Sequence, residues 1–220
     1  MSAGQHLDLG CGGVPRNPYR RAALFGVDLV LGDAPQAKEG RPTLRAANLA
    51  LQPIPFGDDS FDSVSAYDFF EHVPRVLTTA DGQGTRLPFV ELMDQIWRVL
   101  KPGGWLYAVT PVVPHLAVFQ DPTHVNFITT GTHEYFAGPA PRARMYGFKG
   151  SFEARRVQLT RHHEAALYAT APQGPWQRLR QRLRERRGAC GHLIWEFEAI
   201  KPASAAARAL PPAPSQSPST

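Results

Sequence analysis

The chain has 220 residues, of which 43% are hydrophobic and 20% charged, and these are the proportions of a soluble globular protein with one ordinary domain. No apolar run approaches the roughly 20 residues of a membrane span, and no signal peptide precedes the first predicted strand, which favours a cytoplasmic protein. The net charge of +5 lies entirely in residues 176–187, where six arginines accompany one acid, so the composition does not imply a general nucleic-acid-coating surface.

The first predicted element is a buried strand over residues 5–9 that ends in a glycine-rich turn. Three glycines follow the strand: Gly10, Gly12 and Gly13. A strand with such a loop is typical of open α/β sheets, which bind nucleotide-like ligands at the carboxyl ends of their strands. Asp8 adds a carboxylate beside the glycines, which suits a cationic ligand better than a pyrophosphate. Cys11, inside the loop, is interpreted as a space-filling residue.

Three more strands are predicted before the first helix, over residues 22–31 (ending near Asp28), 43–47 and 61–67. The first two connections are short for complete crossover helices, so these helices are expected to be shortened. Residues 87–100 have apolar side chains at helical spacing, and the Lys-Pro-Gly-Gly segment that follows ends the helix.

Three further strands are predicted over residues 105–110, 152–159 and 193–200. Sequential strand–helix units predict an α/β fold with a mostly parallel, seven-stranded sheet flanked by helices. We expect a single domain over residues 1–201, in which 111–148 form a loop region on the substrate side. The Ala/Pro/Ser-rich tail, 202–220, is expected to be disordered.

Five motifs in this order resemble the class I S-adenosylmethionine-dependent methyltransferases, which have a Rossmann-like fold. The motifs are Asp8-Leu-Gly-Cys-Gly12, Gly26-Val-Asp28, Pro55-Phe56 with Asp59-Ser-Phe-Asp62, Glu71-His72-Val73 and Trp97-Arg-Val-Leu-Lys-Pro-Gly-Gly104. The resemblance covers residues 5–110 and is greatest to the branch that acts on small molecules, lipids and glycans. Residues 111–148 resemble a bacterial subset with a DPTH segment.

The resemblance implies S-adenosylmethionine as the cofactor and assigns residues to its parts. Asp8 and the glycine loop would hold the methionine end, and Asp28 the ribose hydroxyls. Asn48 and Leu49 match the adenine-contacting step, and Asp68 follows the strand that meets methionine and substrate. The implied cofactor residues are Asp8, Gly10, Cys11, Gly12, Gly13, Asp28, Asn48, Leu49 and Asp68.

Two positions depart from the family's pattern. Asn48 replaces an acid, although its amide can still accept a hydrogen bond from adenine. Val14 stands in place of the last glycine of the loop. Pro15 occupies the position where a dinucleotide-binding G-x-G-x-x-G motif needs glycine, which excludes a dehydrogenase.

The substrate side offers two candidates for a catalytic base, His72 and His124. A base is needed where a hydroxyl acceptor must lose its proton. The predicted substrate-side residues are Pro111, Asp121, His124 and His133. These polar residues could instead hold the loop together by hydrogen bonds. No metal is assigned, because no short helical histidine pair or cysteine accompanies them.

The sequence therefore predicts methyl transfer to a small-molecule or glycan acceptor. An oxygen acceptor is favoured because no Asn-Pro-Pro-aromatic signature follows the fourth strand. Two alternatives stay open: an RNA methyltransferase that grips phosphates through the arginine-rich helix 176–187, and a non-catalytic partner protein that binds S-adenosylmethionine. The helix could equally rest on anionic lipid or be a solvated face. The sequence does not indicate an oligomeric state.

Overall fold

The computed structural model describes residues 2–31, 41–166 and 174–202. In chain order the strands are β1 (Ser2–Leu9), β2 (Arg21–Asp28), β3 (Thr43–Ala46), β4 (Phe61–Tyr67), β5 (Leu77–Thr78), β6 (Thr85–Arg86), β7 (Leu100–Pro111), β8 (Phe152–Thr160) and β9 (His192–Ala199). Seven of them form one sheet in the order β3-β2-β1-β4-β7-β9-β8. Strand β9 alone runs in the direction opposite to the other six. The predicted mostly parallel α/β fold is confirmed. Strands β5 and β6 form a separate hairpin.

The described helices are α1 (Pro88–Val99), α2 (Ala117–Gln120), α3 (His162–Ala166) and α4 (Pro175–Arg186). Helix α1 begins with a proline at its first position and ends where Leu100 turns extended, one residue inside the predicted limits. Leu100 pairs with Phe61, and Trp105 pairs with Ser63, so residues 101–104 bulge out of β7. The Pro-Gly-Gly sequence explains this bulge.

One face of the sheet is apolar and packs with α1. Leu7, Val64, Leu106 and Phe197 form a row across β1, β4, β7 and β9, and all four are fully buried. Helix α1 contributes Leu92, Met93 and Ile96 to the same apolar cluster. This packing is the main core of the protein and holds β4 and β7 in place.

The opposite face of the sheet is buried but polar. Asp8, Ser65, Tyr107 and Glu196 lie in register across β1, β4, β7 and β9. The connection between β1 and β2 covers this row. Its Tyr19 hydroxyl donates to Glu196 Oε1 at 3.1 Å, and its ring lies 6.4 Å from that of Tyr107.

The first crossover helix, expected to be short, is replaced by turns, and residues 32–40 of the second connection lie outside the described residues. Residues 10–20, between β1 and β2, contain no helix, and neither do the described residues of the connection to β3. Eleven residues can close a parallel connection only as a loop, because a helix would need more chain. Within the described residues, no helix is long and apolar enough to cross a membrane.

The single domain over residues 1–201 stays a prediction. All but the first residue of the predicted disordered tail lie outside the described residues.

Candidate active site

The glycine loop follows the carboxyl end of β1 and is hydrogen-bonded to the carboxyl end of β2. The N–H of Gly10 donates to Val27 O at 2.9 Å, and the N–H of Gly12 donates to Asp28 Oδ2 at 2.8 Å. Gly10 has a φ of +65°, and a Cβ there would lie 2.6 Å from the Phe69 ring. The fold itself therefore requires glycine at this position.

Gly12 and Gly13 face open space. Gly12 has a φ of +57°, and a Cβ there would meet nothing within 4 Å; at Gly13 the nearest atom, Leu31 O, is 4.0 Å away. Bare backbone with free space at the carboxyl ends of two parallel strands is where ligands of this fold class lie. These residues fit the cofactor that the resemblance implies.

Asp8 lies beneath the loop rather than in that space. Asp8 is only 2% exposed. Its Oδ1 accepts from Ser65 Oγ at 2.5 Å, and its Oδ2 accepts from the Arg16 N–H at 2.7 Å. Each carboxylate oxygen keeps one further lone pair, so the contact between Asp8 and the cofactor, direct or through water, stays a prediction. The structure gives Asp8 a supporting task, because it ties the loop to the sheet.

A relay of hydrogen bonds leads through the polar face to Asp8. Because Ser65 Oγ donates its only proton to Asp8, it accepts from His6 Nε2 at 2.8 Å, and His6 Nδ1 then accepts from Ser63 Oγ at 2.8 Å. Burial and the charge of Arg21 lower the pKa of His6 to about 3. Burial raises the pKa of Asp8 to about 6, against the opposing effect of its hydrogen bonds.

Cys11 fills space, as expected. A Cβ on Gly26 would lie 2.5 Å from its sulfur, which shows how closely the thiol packs on β2. Burial and the neighbouring carboxylates Asp8 and Asp28 raise the pKa of this thiol to about 12. Since the thiolate is the nucleophile and a thiol with this pKa is almost entirely protonated at neutral pH, Cys11 is expected to be unreactive.

Asp28 is the last residue of β2, and Asn48 lies shortly after the end of β3. Asp28 accepts from Gly12 N–H and from Val30 N–H, which leaves each carboxylate oxygen one further lone pair for a hydroxyl. Asn48 Oδ1 accepts from the Ala50 N–H, so the amide opens a turn. Leu49 belongs to the apolar core, and its contact with adenine stays a prediction.

Asp68 follows β4 with a φ of +48° and meets two histidines that sequence reasoning missed. His192 Nε2 lies 3.3 Å from Asp68 Oδ1, and His162 Nε2 lies 3.6 Å from Asp68 Oδ2. Burial opposes ionisation of Asp68, but the hydrogen bond and charge of His192 and the charge of His162 hold its pKa below the usual range. No motif announces His162 and His192, because only the strand order brings them to β4.

His72 has a fixed tautomer. Thr123 Oγ1 donates its only proton to Asp121 Oδ1 at 2.6 Å, so it must accept from His72 Nδ1 at 2.9 Å. His72 Nε2 therefore carries the lone pair, and the half-buried ring presents it as a base. Thr123, which sequence reasoning did not assign, connects the predicted residues Asp121 and His72.

His124 is turned away from a base's position. Its Nδ1 donates to Val118 O at 2.8 Å, and its Nε2 faces Glu71 Oε1 at 4.0 Å. The His124 side chain is only 9% exposed. Its ring packs against His72, with ring centroids 4.8 Å apart. The lone pair of His124 faces Glu71 and its ring supports that of His72, and its role as a base stays a prediction.

The remaining substrate-side residues are structural. Pro111 ends β7 and is buried beside His192 in the sheet. His133 Nδ1 donates to Thr130 O at 2.8 Å within a local turn. The bond of His133 is of the kind expected if the polar residues hold the loop together, and contact of either residue with the substrate stays a prediction.

A cavity of about 680 Å³ opens in the loop region 111–148 and its neighbours. Six aromatic side chains line it: Phe89, Phe119, Phe127, Tyr135, Phe136 and Tyr146. Arg75 lies on its wall and donates to Asn126 Oδ1 at 2.7 Å. Asn126 also donates its backbone N–H to Glu71 O at 2.9 Å, which links the cavity wall to the turn that carries His72.

Two clusters have donor atoms close enough together to hold a metal ion, within the described residues. They are Asp68 with His162 and His192, and Glu71 with His72 and His124. Glu71 is buried, and burial, with the charge of Asp68 adding to it, raises its pKa to about 8. Glu71 Oε1 has no hydrogen-bond partner among the described residues, while Oε2 accepts from Thr110 Oγ1 at 3.1 Å.

Residues 7–108 match the model of a protein family described as a methyltransferase domain. A sequence comparison with curated proteins gives no match. Three solved structures have a similar fold. A chain in the complex of the Haloferax volcanii Trm112 methyltransferase activator with a methyltransferase is 16% identical, with a TM-score of 0.54 over 90% of this chain and 83% of that one. The YcgJ protein from Bacillus subtilis is 15% identical, with a TM-score of 0.53 over 91% and 93%. An S-adenosylmethionine-dependent methyltransferase from Archaeoglobus fulgidus is 15% identical, with a TM-score of 0.50 over 88% and 85%.

Proposed function

We propose that this protein is a class I S-adenosylmethionine-dependent methyltransferase and that it methylates an oxygen of a small-molecule or glycan acceptor, with His72 as the base. The orientation of His72 carries this proposal. A hydroxyl acceptor must lose its proton as it is methylated, and a correctly oriented histidine typically contributes about 10²–10⁴-fold to such a step.

Cofactor binding is proposed for the backbone of Gly12 and Gly13, with Asp28 at the ribose hydroxyls and Asp68 on the methionine side. The open space at both glycines supports this assignment. When bound, S-adenosylmethionine supplies a methyl group that its sulfonium charge activates. The chain holds the acceptor hydroxyl in line and takes its proton at His72 Nε2.

The aromatic cavity is proposed as the acceptor's binding site. Its volume of about 680 Å³ is within the range of small-molecule sites. Aromatic faces stack against flat rings and against the apolar faces of sugars. The guanidinium of Arg75 adds one positive group that could orient a polar or acidic substituent.

The test is an assay of S-adenosylhomocysteine release with a panel of phenols, hydroxy acids and nucleotide sugars. His72→Gln should lower kcat about 10²–10⁴-fold and leave S-adenosylmethionine affinity unchanged. Thr123→Val should lower kcat about tenfold, since the base loses its orientation. The matched control His133→Gln should retain full activity. Full activity in His72→Gln contradicts the proposal, as does a loss of rate with chelator that Mn²⁺ restores, because a metal would then replace the base.

Two other functions make different predictions. An RNA methyltransferase should bind RNA with an affinity that falls steeply with salt. A non-catalytic partner protein should bind S-adenosylmethionine without turnover of any acceptor. One structural neighbour was solved with an activator protein, so the assay should also be run with cell extract present. A cytoplasmic location stays part of the proposal.

A further inference from the structure

Helix α4 is attached to the body of the protein along one side. Gln181 Nε2 donates to Leu159 O at 2.6 Å, and Arg184 pairs with Glu164 at 3.1 Å. Gln181 also donates to Glu185 Oε1 at 3.0 Å. These contacts turn one side of the helix toward the end of β8 and toward α3.

An apolar stripe occupies the other side of α4. Trp176, Leu179 and Leu183 are 78%, 48% and 43% exposed. At 3.6 residues per turn, the three lie within about 60° of one another and roughly 140° from the midpoint of Gln181 and Arg184. The stripe therefore faces away from the body of the protein.

Arginines flank the stripe on both sides. Arg180 follows Trp176 by four residues and lies next to it on one border, and Arg186 follows Leu183 by three residues and lies next to it on the other border. Apart from Arg184, none of the arginines in 176–187 has an ion pair with another described residue. The excess charge of the whole chain is thus concentrated around three outward-facing apolar side chains.

We propose that α4 docks this protein on the surface of an anionic membrane. A short basic helix with Trp and Leu on one face is suited to lie in the plane of the interface. The apolar stripe would enter the acyl boundary, while the arginines reach the negative headgroups.

The apolar stripe favours lipid over the other occupants. Nucleic acid would use the arginines but would leave Leu179 and Leu183 exposed to water. A second copy of the chain would bring two arginine-rich helices together, and their like charges would oppose the contact.

The test is flotation of the full-length protein with vesicles of phosphatidylcholine, with or without phosphatidylglycerol. Binding should need phosphatidylglycerol. Arg180→Gln/Arg186→Gln should weaken it about 30-fold, and Leu179→Ser/Leu183→Ser about tenfold. On binding, Trp fluorescence should shift to shorter wavelength in the wild type but not in Trp176→Phe.

Two matched variants serve as controls. Arg41→Gln/Arg144→Gln removes two other exposed charges, and Leu116→Ser/Met145→Ser removes two other exposed apolar side chains. Both should bind as the wild type does, and circular dichroism should confirm that all variants fold. Equal losses in test and control variants overturn the proposal. So does RNA binding, or dimerisation through the stripe, without vesicle binding. Because no acceptor or cofactor is present, failure here leaves the proposed methyl transfer untouched.

Discussion

His6 and Asp8 are buried side by side beneath the glycine loop, and each resists taking its charged form. The pKa of His6 falls from 6.5 to about 3, so between these values the unfolded chain binds a proton that the folded protein does not. Stability from His6 therefore rises with pH. The pKa of Asp8 rises from 3.8 to about 6, so the folded protein holds the extra proton and stability falls with pH.

This opposition predicts two variants with contrasting pH profiles. Relative to His6→Gln, the wild type should gain up to about 1.4 kcal/mol of unfolding free energy per pH unit between about pH 3 and 6.5. Relative to Asp8→Asn, it should lose a similar amount per unit between about pH 4 and 6. Urea unfolding across this range measures both. If the stability of each variant changed with pH as that of the wild type does, His6 and Asp8 would have the same pKa in the folded and unfolded protein.

Gly10 and Gly12 make a second residue-scale pair, because both have positive φ but different surroundings. Gly10→Ala should lower the free energy of unfolding by about 2–4 kcal/mol, since strain is added to a clash with Phe69. Gly12→Ala should cost only about 1 kcal/mol but weaken S-adenosylmethionine binding about tenfold. Urea unfolding and calorimetry separate the two effects, and equal stability losses would contradict the assignment.

Individual site residues were predictable only where a motif marked them. The glycine loop, Asp28 and His72 were marked in this way. Thr123 and His192 were not, because their importance depends on which strands and loops become neighbours. The bond between Asp8 and Ser65 was also beyond sequence reasoning, since the serine lies on another strand.

At the scale of elements, the connection between β1 and β2 covers the sheet where a crossover helix would otherwise pack. Tyr19 packs on the polar face of the sheet, and its ring lies near those of His6, Trp105 and Tyr107. The short spacing of the strands predicted a reduced helix, but no pattern in residues 10–20 predicted that one aromatic ring would cover the sheet.

Tyr19→Ala should therefore lower the unfolding free energy by about 1–3 kcal/mol. Tyr19→Phe keeps the ring and loses only the hydrogen bond to Glu196, so it should cost about 1 kcal/mol or less. Tyr146→Ala, which removes a more exposed ring, is the control and should change stability little. Thermal or urea unfolding gives all three values. A Tyr19→Ala protein as stable as the control would show that the loop does not support the sheet.

At the scale of the whole molecule, the seven strands of the main sheet and helix α1 followed from hydrophobic patterning, because buried strands and α1 have clear periods, whereas the order of the strands in the sheet did not. The cofactor's identity has an equally global test. Saturating S-adenosylmethionine, at about 100 times its Kd, should raise Tm by about 5–10 °C, because it binds only the folded state. Asp28→Ala should shrink this shift. A shift with NAD alone would contradict the cofactor assignment.

The tight packing of Cys11 has a practical consequence. Cys11 is half-buried against β2 and its thiol has a pKa of about 12, so we expect alkylation of Cys11 to be slow and to speed up when the glycine loop opens. Cys190 is buried before β9, where Gln181 of α4 contacts it. Mass spectrometry of timed alkylation thus reports loop opening and α4 release as two separate rates. S-adenosylmethionine should slow labelling of Cys11 alone, while anionic vesicles should change only that of Cys190.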